Sequence, residues 1–263
     1  MPVFRSFLFA PGNHARRVEK SLTLGADAVI LDLEDAVANA EKPGTRAMVV
    51  EALGRPRPST CRGYVRVNSL GTQWSHGDFV AVVAKGVDGI VLPKVESAAD
   101  LQTGEWLLAA LEREHGLPEG GIDLVPIIET ASGYCNIAEI TRAAKRVRRL
   151  AFGAGDFTLD LGITWSADES ELLPYRSTLI AHSRAAGLEP PIDTVFVSLS
   201  DSDGFKRSVQ RAKDLGFQGK LCIHPDQVPV VNDCFRPTEK ELTHARRVLD
   251  AFAQAERDGL AAI

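Results

Sequence analysis

Two carboxylates draw attention by where they fall. Glu129 closes the apolar run DLVPIIE, and Asp156 closes the next one, RLAFGAGD. If both runs are strands of one parallel sheet, a single βα unit separates them and the two acids meet at adjacent strand ends. Close carboxylates repel, and one is driven to keep its proton. A hard divalent cation relieves that repulsion. Mg²⁺ commonly takes one or two carboxylates and leaves its other positions to water and substrate oxygens. The same oxygen donors suit Mn²⁺. Glu129 and Asp156 therefore read as metal ligands, with ion pairs to Arg66 and Lys94 as the alternative.

Other polar residues occupy matching places. Arg66 sits in YVRVN among apolar neighbours. Its planar fork suits a carboxylate, either a substrate's or that of Glu34 or Asp35. Those two acids follow the second apolar run, and Lys94 ends the fourth, GIVLPK. They read as supports that orient Arg66 and metal-bound water, with Glu34 and Asp35 also candidates for a catalytic role. Gly153 and Gly155 allow a ligand oxygen to approach backbone N–H groups. His224, before Pro225, reads as a structural hydrogen-bonding group rather than an acid–base catalyst. His14, Arg16, Arg17 and Lys20 follow the first run and form either a solvated helix face or a site for an anionic nucleotide tail.

The elements that must carry these groups are regular. Eight apolar runs recur: SFLFAPG, AVILDLED, YVRVN, GIVLPK, DLVPIIE, RLAFGAGD, TVFVSLS and KLCIHP. Their nearly continuous apolar character suits strands covered on both faces. Amphipathic stretches lie between them, including HARRVEKSLTLG, a helix capped by Ser97, YCNIAEITRAAKRV, and GFKRSVQRAKDLG with Gly216 as its C-cap. Thr238 and Glu241 form a capping box that opens a final helix running to about Asp258. GRPRPSTCRG, around 54–63, reads as a loop. Eight βα units predict a single α/β domain over 1–263, a (β/α)₈ TIM barrel with a C-terminal helix. An open doubly wound sheet is disfavoured because no G-x-G-x-x-G follows the first run. In a barrel, the polar strand ends converge on the face where barrel enzymes keep their chemistry.

Composition excludes several classes. A net charge of −5 and no basic, aromatic-studded stretch argue against nucleic acid. The run Lys145, Arg146, Arg148, Arg149 reads as a solvated helix end. Cys61, Cys135, Cys222 and Cys234 contain no C-x-x-C pair, which leaves reduced, scattered thiols. No segment is long and apolar enough for a membrane span, and the first residues lack a signal-peptide pattern. The expectation is a soluble cytoplasmic protein.

Taken in order, certain segments make the chain resemble the HpcH/HpaI aldolase and citrate lyase β-subunit family, in its stand-alone citrate lyase β-like branch. They are RSFLFAPG at 5–12, ADAVILDLEDAV at 26–37 with Lys42 and Arg46, VRVN at 65–68 and LPK at 92–94. IIET at 127–130, FGAGDFTLDLG at 152–162, GFQGKLCIHPDQV at 216–228 and ARRVLDAF at 245–252 continue the match. The resemblance implies a Mg²⁺-dependent carbon–carbon lyase. It would act on a 3-hydroxyacyl-CoA such as citryl-, malyl- or citramalyl-CoA, giving an acyl-CoA and a 2-oxo acid such as oxaloacetate. It implies Glu129 and Asp156 as metal ligands, and Arg66 with backbone near Gly155 as the carboxylate site. Pro11, Gly12, Arg16 and Lys20 would lie near coenzyme A. It also implies a homo-oligomer, perhaps a trimer, in which a C-terminal G-x-x-x-D segment lids a neighbouring subunit's site and supplies the base. The sequence given stops at GLAAI, where that segment would begin. Three alternatives accompany this reading: a pyruvate aldolase on CoA-free hydroxy-oxo acids, a subunit of a larger lyase complex, and a ligand-binding barrel without turnover.

Overall fold

A computed structural model describes residues 4–257. Short runs of β-branched and aromatic residues, too apolar to lie half in water, form eight parallel strands that close into one barrel in sequence order. They are β1 (Ser6–Pro11), β2 (Ala28–Asp32), β3 (Arg62–Arg66), β4 (Gly89–Leu92), β5 (Asp123–Ile128), β6 (Ala151–Phe152), β7 (Ile192–Asp193) and β8 (Gly219–Cys222). The α/β barrel is therefore the expected one, with helices outside.

Side chains alternate across each strand, and the alternation sorts the chain into two cores. Leu8, Val29, Leu31, Val65, Ile90 and Leu124 face the helix layer and join one apolar cluster. Phe7, Ile30, Tyr64, Val91, Val125 and Ile127 face the barrel axis and form the other. Extending the inward set by one more step reaches Asp32 on β2, Arg66 on β3 and Glu129 just past β5. The register pairs Asp32 with Arg66 directly. The apolar filling of the barrel thus ends in a charged rim at the C-terminal ends of the strands.

The predicted helix signals hold at three places. Ser97 accepts from the Asp100 N–H in a capping box that opens the helix Ala98–Glu114. Gly216 adopts φ 103° as the C-cap of Ser202–Leu215, a conformation that costs glycine nothing. Thr238 and Glu241 exchange hydrogen bonds before the helix Glu239–Arg257; Asp258 lies outside the described residues. The expected continuous helix after β5 is instead broken at Asn136 into Ala131–Cys135 and Ile137–Ile140. There the Asn136 side-chain Nδ2 donates to the Glu96 carbonyl at 2.8 Å.

Two expectations are corrected. The seventh strand is not TVFVSLS but the two residues before it, and Val197 and Leu199 of that run are exposed. What holds so short a strand is ionic. Asp193 lies fully buried between Arg176, with Nε at 2.8 Å, and Lys220 on β8, with Nζ at 2.5 Å. The basic run 145–149 is solvated only in part: Lys145 and Arg148 are exposed, outside any helix, whereas Arg146 and Arg149 turn inward. Arg146 forms a bidentate pair with the buried Glu112, and Arg149 is buried against Asp123 and Glu189 with its guanidinium over the Phe4 ring. These arginines plug the N-terminal floor of the barrel, where the stems bury and the charges find acids.

Removing one member of a buried ion cluster strands the others, which typically costs about 3–5 kcal/mol. Asp193→Ala is expected to lower unfolding stability by about that amount in urea titrations, with Lys220 and Arg176 left uncompensated. Burial also pushes the Cys222 thiol up to about 12, whereas Cys135 is exposed. Titration of the native protein with a thiol-reactive disulfide at pH 8 is expected to label Cys135 within the native state and Cys222 only on unfolding.

Candidate active site

The rim is organised around Arg66. Its Nε and Nη2 donate to the two oxygens of Asp32 at 2.7 and 2.6 Å, a two-pronged pair with Asp32 buried and Arg66 partly buried. Asp32 also accepts the Glu34 and Ala36 N–H groups at 2.9 and 3.0 Å, which folds the chain after β2 into a tight turn. Burial pushes the Asp32 carboxyl up, but Arg66 and these donors hold it below the ordinary carboxylate range. The turn brings Glu34 to 3.0 Å and Asp35 to 3.5 Å from Arg66 Nη1. Both sequence readings of Arg66 thus meet: it is ion-paired, and it still lines an open pocket.

Asp32 is the partner of Arg66 that the sequence reading misses: that reading weighs Glu34, Asp35, Glu129 and Asp156, and the structure puts the two-pronged pair on Asp32. Its position as the last inward residue of β2, level with Arg66, is the signal that identifies it. Behind the turn, Lys42 Nζ donates to the carbonyls of Leu33 and Glu34 at 2.9 and 2.6 Å and to Asn68 Oδ1 at 2.7 Å. Asn68 and Arg46 are fixed in turn by Asp78. Lys42 and Arg46 therefore brace the loop from beneath rather than facing the pocket.

Lys94 bridges the two halves of the site. Its backbone is left-handed, at φ 51°, a strain of about 1–3 kcal/mol for a non-glycine residue that persists where surroundings enforce it. In this pose its N–H donates to Glu129 Oε1 at 2.8 Å. Its Nζ lies 2.9 Å from Glu34 Oε1 and 3.1 Å from Asp156 Oδ2.

Glu129 is 4% exposed. Burial, reinforced by Glu34 and Asp156 and opposed by Arg66, pushes its carboxyl up to about 8. Gly153 makes room for it: a Cβ there would stand 2.4 Å from Glu129 Oε2. Asp156 was expected at a strand end. It lies instead in the first turn of the helix Ala154–Leu161, because β6 ends at Phe152. That position favours a carboxylate electrostatically. Gly155, in the same first turn, lines the pocket, and the Ala154 N–H before it donates to Thr194 Oγ1 at 2.8 Å. Asp156 Oδ2 and Glu34 Oε2 are buried without an aligned hydrogen bond; their ion pairs to Lys94 and Arg66 hold them by charge alone.

These features fit a divalent cation at Glu129 and Asp156. The two acids line one pocket, burial raises one of them with its acidic neighbours reinforcing the shift, and Asp156 Oδ2 has no aligned hydrogen bond. No group of three or more His, Cys, Asp or Glu gathers as a metal cage among the described residues. An ion held by this pair would therefore take its remaining ligands from water and substrate, as Mg²⁺ does.

The pocket holds about 440 Å³ and is lined by Asp35, Arg66, Glu129, Gly155 and Asp156 together with Phe9 and Pro11. Of the other residues expected near coenzyme A, Arg16 and Lys20 are exposed on the helix Ala15–Ser21 that follows β1. Gly12 is buried instead, with its N–H on the Asp32 carbonyl at 3.0 Å and no space for a Cβ beside it. His224 stays outside the pocket lining; its Nδ1 accepts the Asp226 N–H at 3.3 Å, the structural role expected. No described helix is long and apolar enough to cross a membrane.

An acid pair and an arginine meet at the C-terminal rim of the barrel, the face where barrel enzymes carry their chemistry, and comparison with known proteins gives the class. The family model for HpcH/HpaI aldolase/citrate lyase matches residues 5–225. The β subunit of citrate lyase from Leuconostoc mesenteroides subsp. cremoris is 40% identical over 255 residues, spanning 97% of this chain and 84% of that one. A (3S)-malyl-CoA thioesterase from Cereibacter sphaeroides (strain ATCC 17029 / ATH 2.4.9) is 36% identical, spanning 97% and 85%. The crystal structure of protein CitE from Mycobacterium tuberculosis, in complex with magnesium, acetoacetate and coenzyme A, superposes with a TM-score of 0.76. It is 31% identical and covers 96% of this chain and 88% of that one. The chain belongs to the HpcH/HpaI aldolase/citrate lyase family, a family of CoA-ester lyases, and is a lyase.

Glu129→Gln fixes in neutral form a group that burial already drives toward its neutral form, while keeping an acceptor for the Lys94 N–H. In the presence of a chelator, the variant is expected to melt at or above the wild-type temperature in calorimetry. A drop of several degrees would show that the carboxylate is a net stabiliser of the metal-free fold.

Proposed function

We propose that the protein is a Mg²⁺-dependent carbon–carbon lyase. It would cleave or form a 3-hydroxyacyl-CoA, with an acyl-CoA and a 2-oxo acid on the other side of the reaction. The observation that carries this reading is the meeting of Glu129, Asp156 and Arg66 in one pocket at the barrel's C-terminal rim. Family membership and a related protein in complex with magnesium and coenzyme A support it.

In this reading Glu129 and Asp156 hold the cation. Once bound, the ion supplies Lewis acidity toward the hydroxyl and carboxylate oxygens of the substrate, worth several kcal/mol at the transition state. The protein's own groups do the rest. Arg66, oriented by Asp32 and Glu34, uses its remaining N–H groups to clamp the carboxylate of the 2-hydroxy acid unit. The Gly155 N–H at the helix start assists. Asp35, 59% exposed at its side chain and 3.5 Å from Arg66, is the acid of this chain placed to take the hydroxyl proton. Glu34 is held by Arg66 and Lys94 and positions both. As the hydroxyl proton leaves, the C–C bond breaks. Its electron pair passes to the thioester as an enolate, which is then protonated, and the oxygen becomes the carbonyl of the 2-oxo acid. No Schiff base is assigned to Lys94, whose amine is held charged by Glu34 and Asp156 against the lowering effect of burial. The nucleotide end of coenzyme A would pass Pro11 toward Arg16 and Lys20, with Gly12 shaping the turn beneath.

One further reading has an observation behind it: the Leuconostoc relative is a subunit of citrate lyase. As a subunit, this chain would turn over only beside its partner chains.

The test is release of a 2-oxo acid, trapped as its phenylhydrazone, from citramalyl-, malyl- and citryl-CoA with Mg²⁺. Activity is expected with at least one, abolished by chelator, and lowered at least about hundredfold by Asp156→Asn or Arg66→Ala, the scale of losing one charge-stabilising group. Free CoA without 2-oxo acid would replace this reading with thioester hydrolysis. No product from the chain alone, with turnover after adding partner subunits, would establish the second reading.

A further inference from the structure

We infer that the pocket selects a 2-oxo acid with a single carboxylate, and that it discriminates against one bearing a second. This deepens the reading above and rests on it.

The first ground is the supply of cations. Among the pocket lining, Arg66 is the one basic side chain. Three of its nitrogens already serve Asp32 and Glu34. A guanidinium has five N–H groups, so Arg66 retains donors for one carboxylate and no more. Lys94 stands outside the pocket lining, and its amine, already on Glu34 and Asp156, keeps at most one N–H. The second ground is the sign of the field. Asp32, Glu34, Asp35, Glu129 and Asp156 surround these two cations. Acids outnumber bases five to two, so a divalent ion still leaves no positive surplus. An extra carboxylate would enter a negative, partly desolvated site unpaired, which is costly. The third ground is the remaining wall. Phe9, Ile127, Val195 and Leu221 line the inner part of the pocket and Ile223 its edge. Ile127 and Leu221 are buried members of the barrel's axial cluster, with Phe9 and Val195 packed against it. This surface offers a hydrogen or a short alkyl group an apolar contact and offers a carboxylate nothing.

The discriminating pair of ligands is 2-oxobutyrate and oxaloacetate, which differ by a methyl against a carboxylate. Binding to the full chain with Mg²⁺ is measured by calorimetry at pH 7.5, with pyruvate as a third probe. Pyruvate and 2-oxobutyrate are expected to bind at least tenfold more tightly than oxaloacetate. The gap should narrow as ionic strength rises, because screening weakens charge repulsion and not shape. Ile223→Lys places a cation at the pocket edge and should move the ratio toward oxaloacetate. Oxaloacetate binding as tightly as 2-oxobutyrate would overturn this inference and leave the lyase reading standing. Binding of none of the three acids, with or without Mg²⁺, would sink both.

Discussion

The site depends on one buried ion pair. Asp32 and Arg66 are neighbours in register on β2 and β3, and each would be expensive to bury alone. Together they satisfy one another in two-pronged geometry, and the surplus capacity of each builds the rest. The spare lone pairs of Asp32 gather the N–H groups of the turn that carries Glu34 and Asp35. The spare N–H groups of Arg66 face the pocket. Lys94 extends the arrangement from Glu34 across to Asp156, and its strained backbone reaches Glu129. A chain of charge contacts therefore runs from β2 to the helix after β6, and every member leans on its neighbour.

Much of this was legible before any coordinates. Eight apolar runs with polar C-terminal ends give the barrel, and strand parity then puts Asp32, Arg66 and Glu129 on one side of the wall. What escaped were features that depend on distant partners. Nothing local in RAAKRVRRL says that Glu112, Asp123 and Glu189 await those arginines under the barrel. TVFVSLS has the composition of a strand, yet pairing ends at Asp193 just before it, and Val197 and Leu199 stand exposed. Asp156 was placed correctly in space but on the wrong element, because FGAGD reads as a strand end while its second glycine already belongs to a helix. Arg66 was read either as an ion-pair partner or as a substrate group; the geometry shows the ion pairs and leaves the residue in the pocket lining.

The glycines of the site divide by what they permit. Gly153 leaves space for the Glu129 carboxylate, and Gly12 lets β1 end against the Asp32 backbone. A Cβ on Gly155 would meet Trp165 at 3.8 Å, an ordinary contact. The first two are set by packing; the third is not.

The barrel wall is not uniform around its circumference. From β8 through β1 to β5 the strands pair over several residues each, whereas β6 meets β7 at one register position and β7 meets β8 at two. The thin arc is closed by buried ions instead of backbone ladder. Arg66 and Asp32 stand on the thick arc, while Gly155 and Asp156 stand just above the thin one. A molecule reaching from Arg66 to Asp156 thus acts as a strap across the seam. Occupancy and the local breathing of the wall then become two views of one equilibrium.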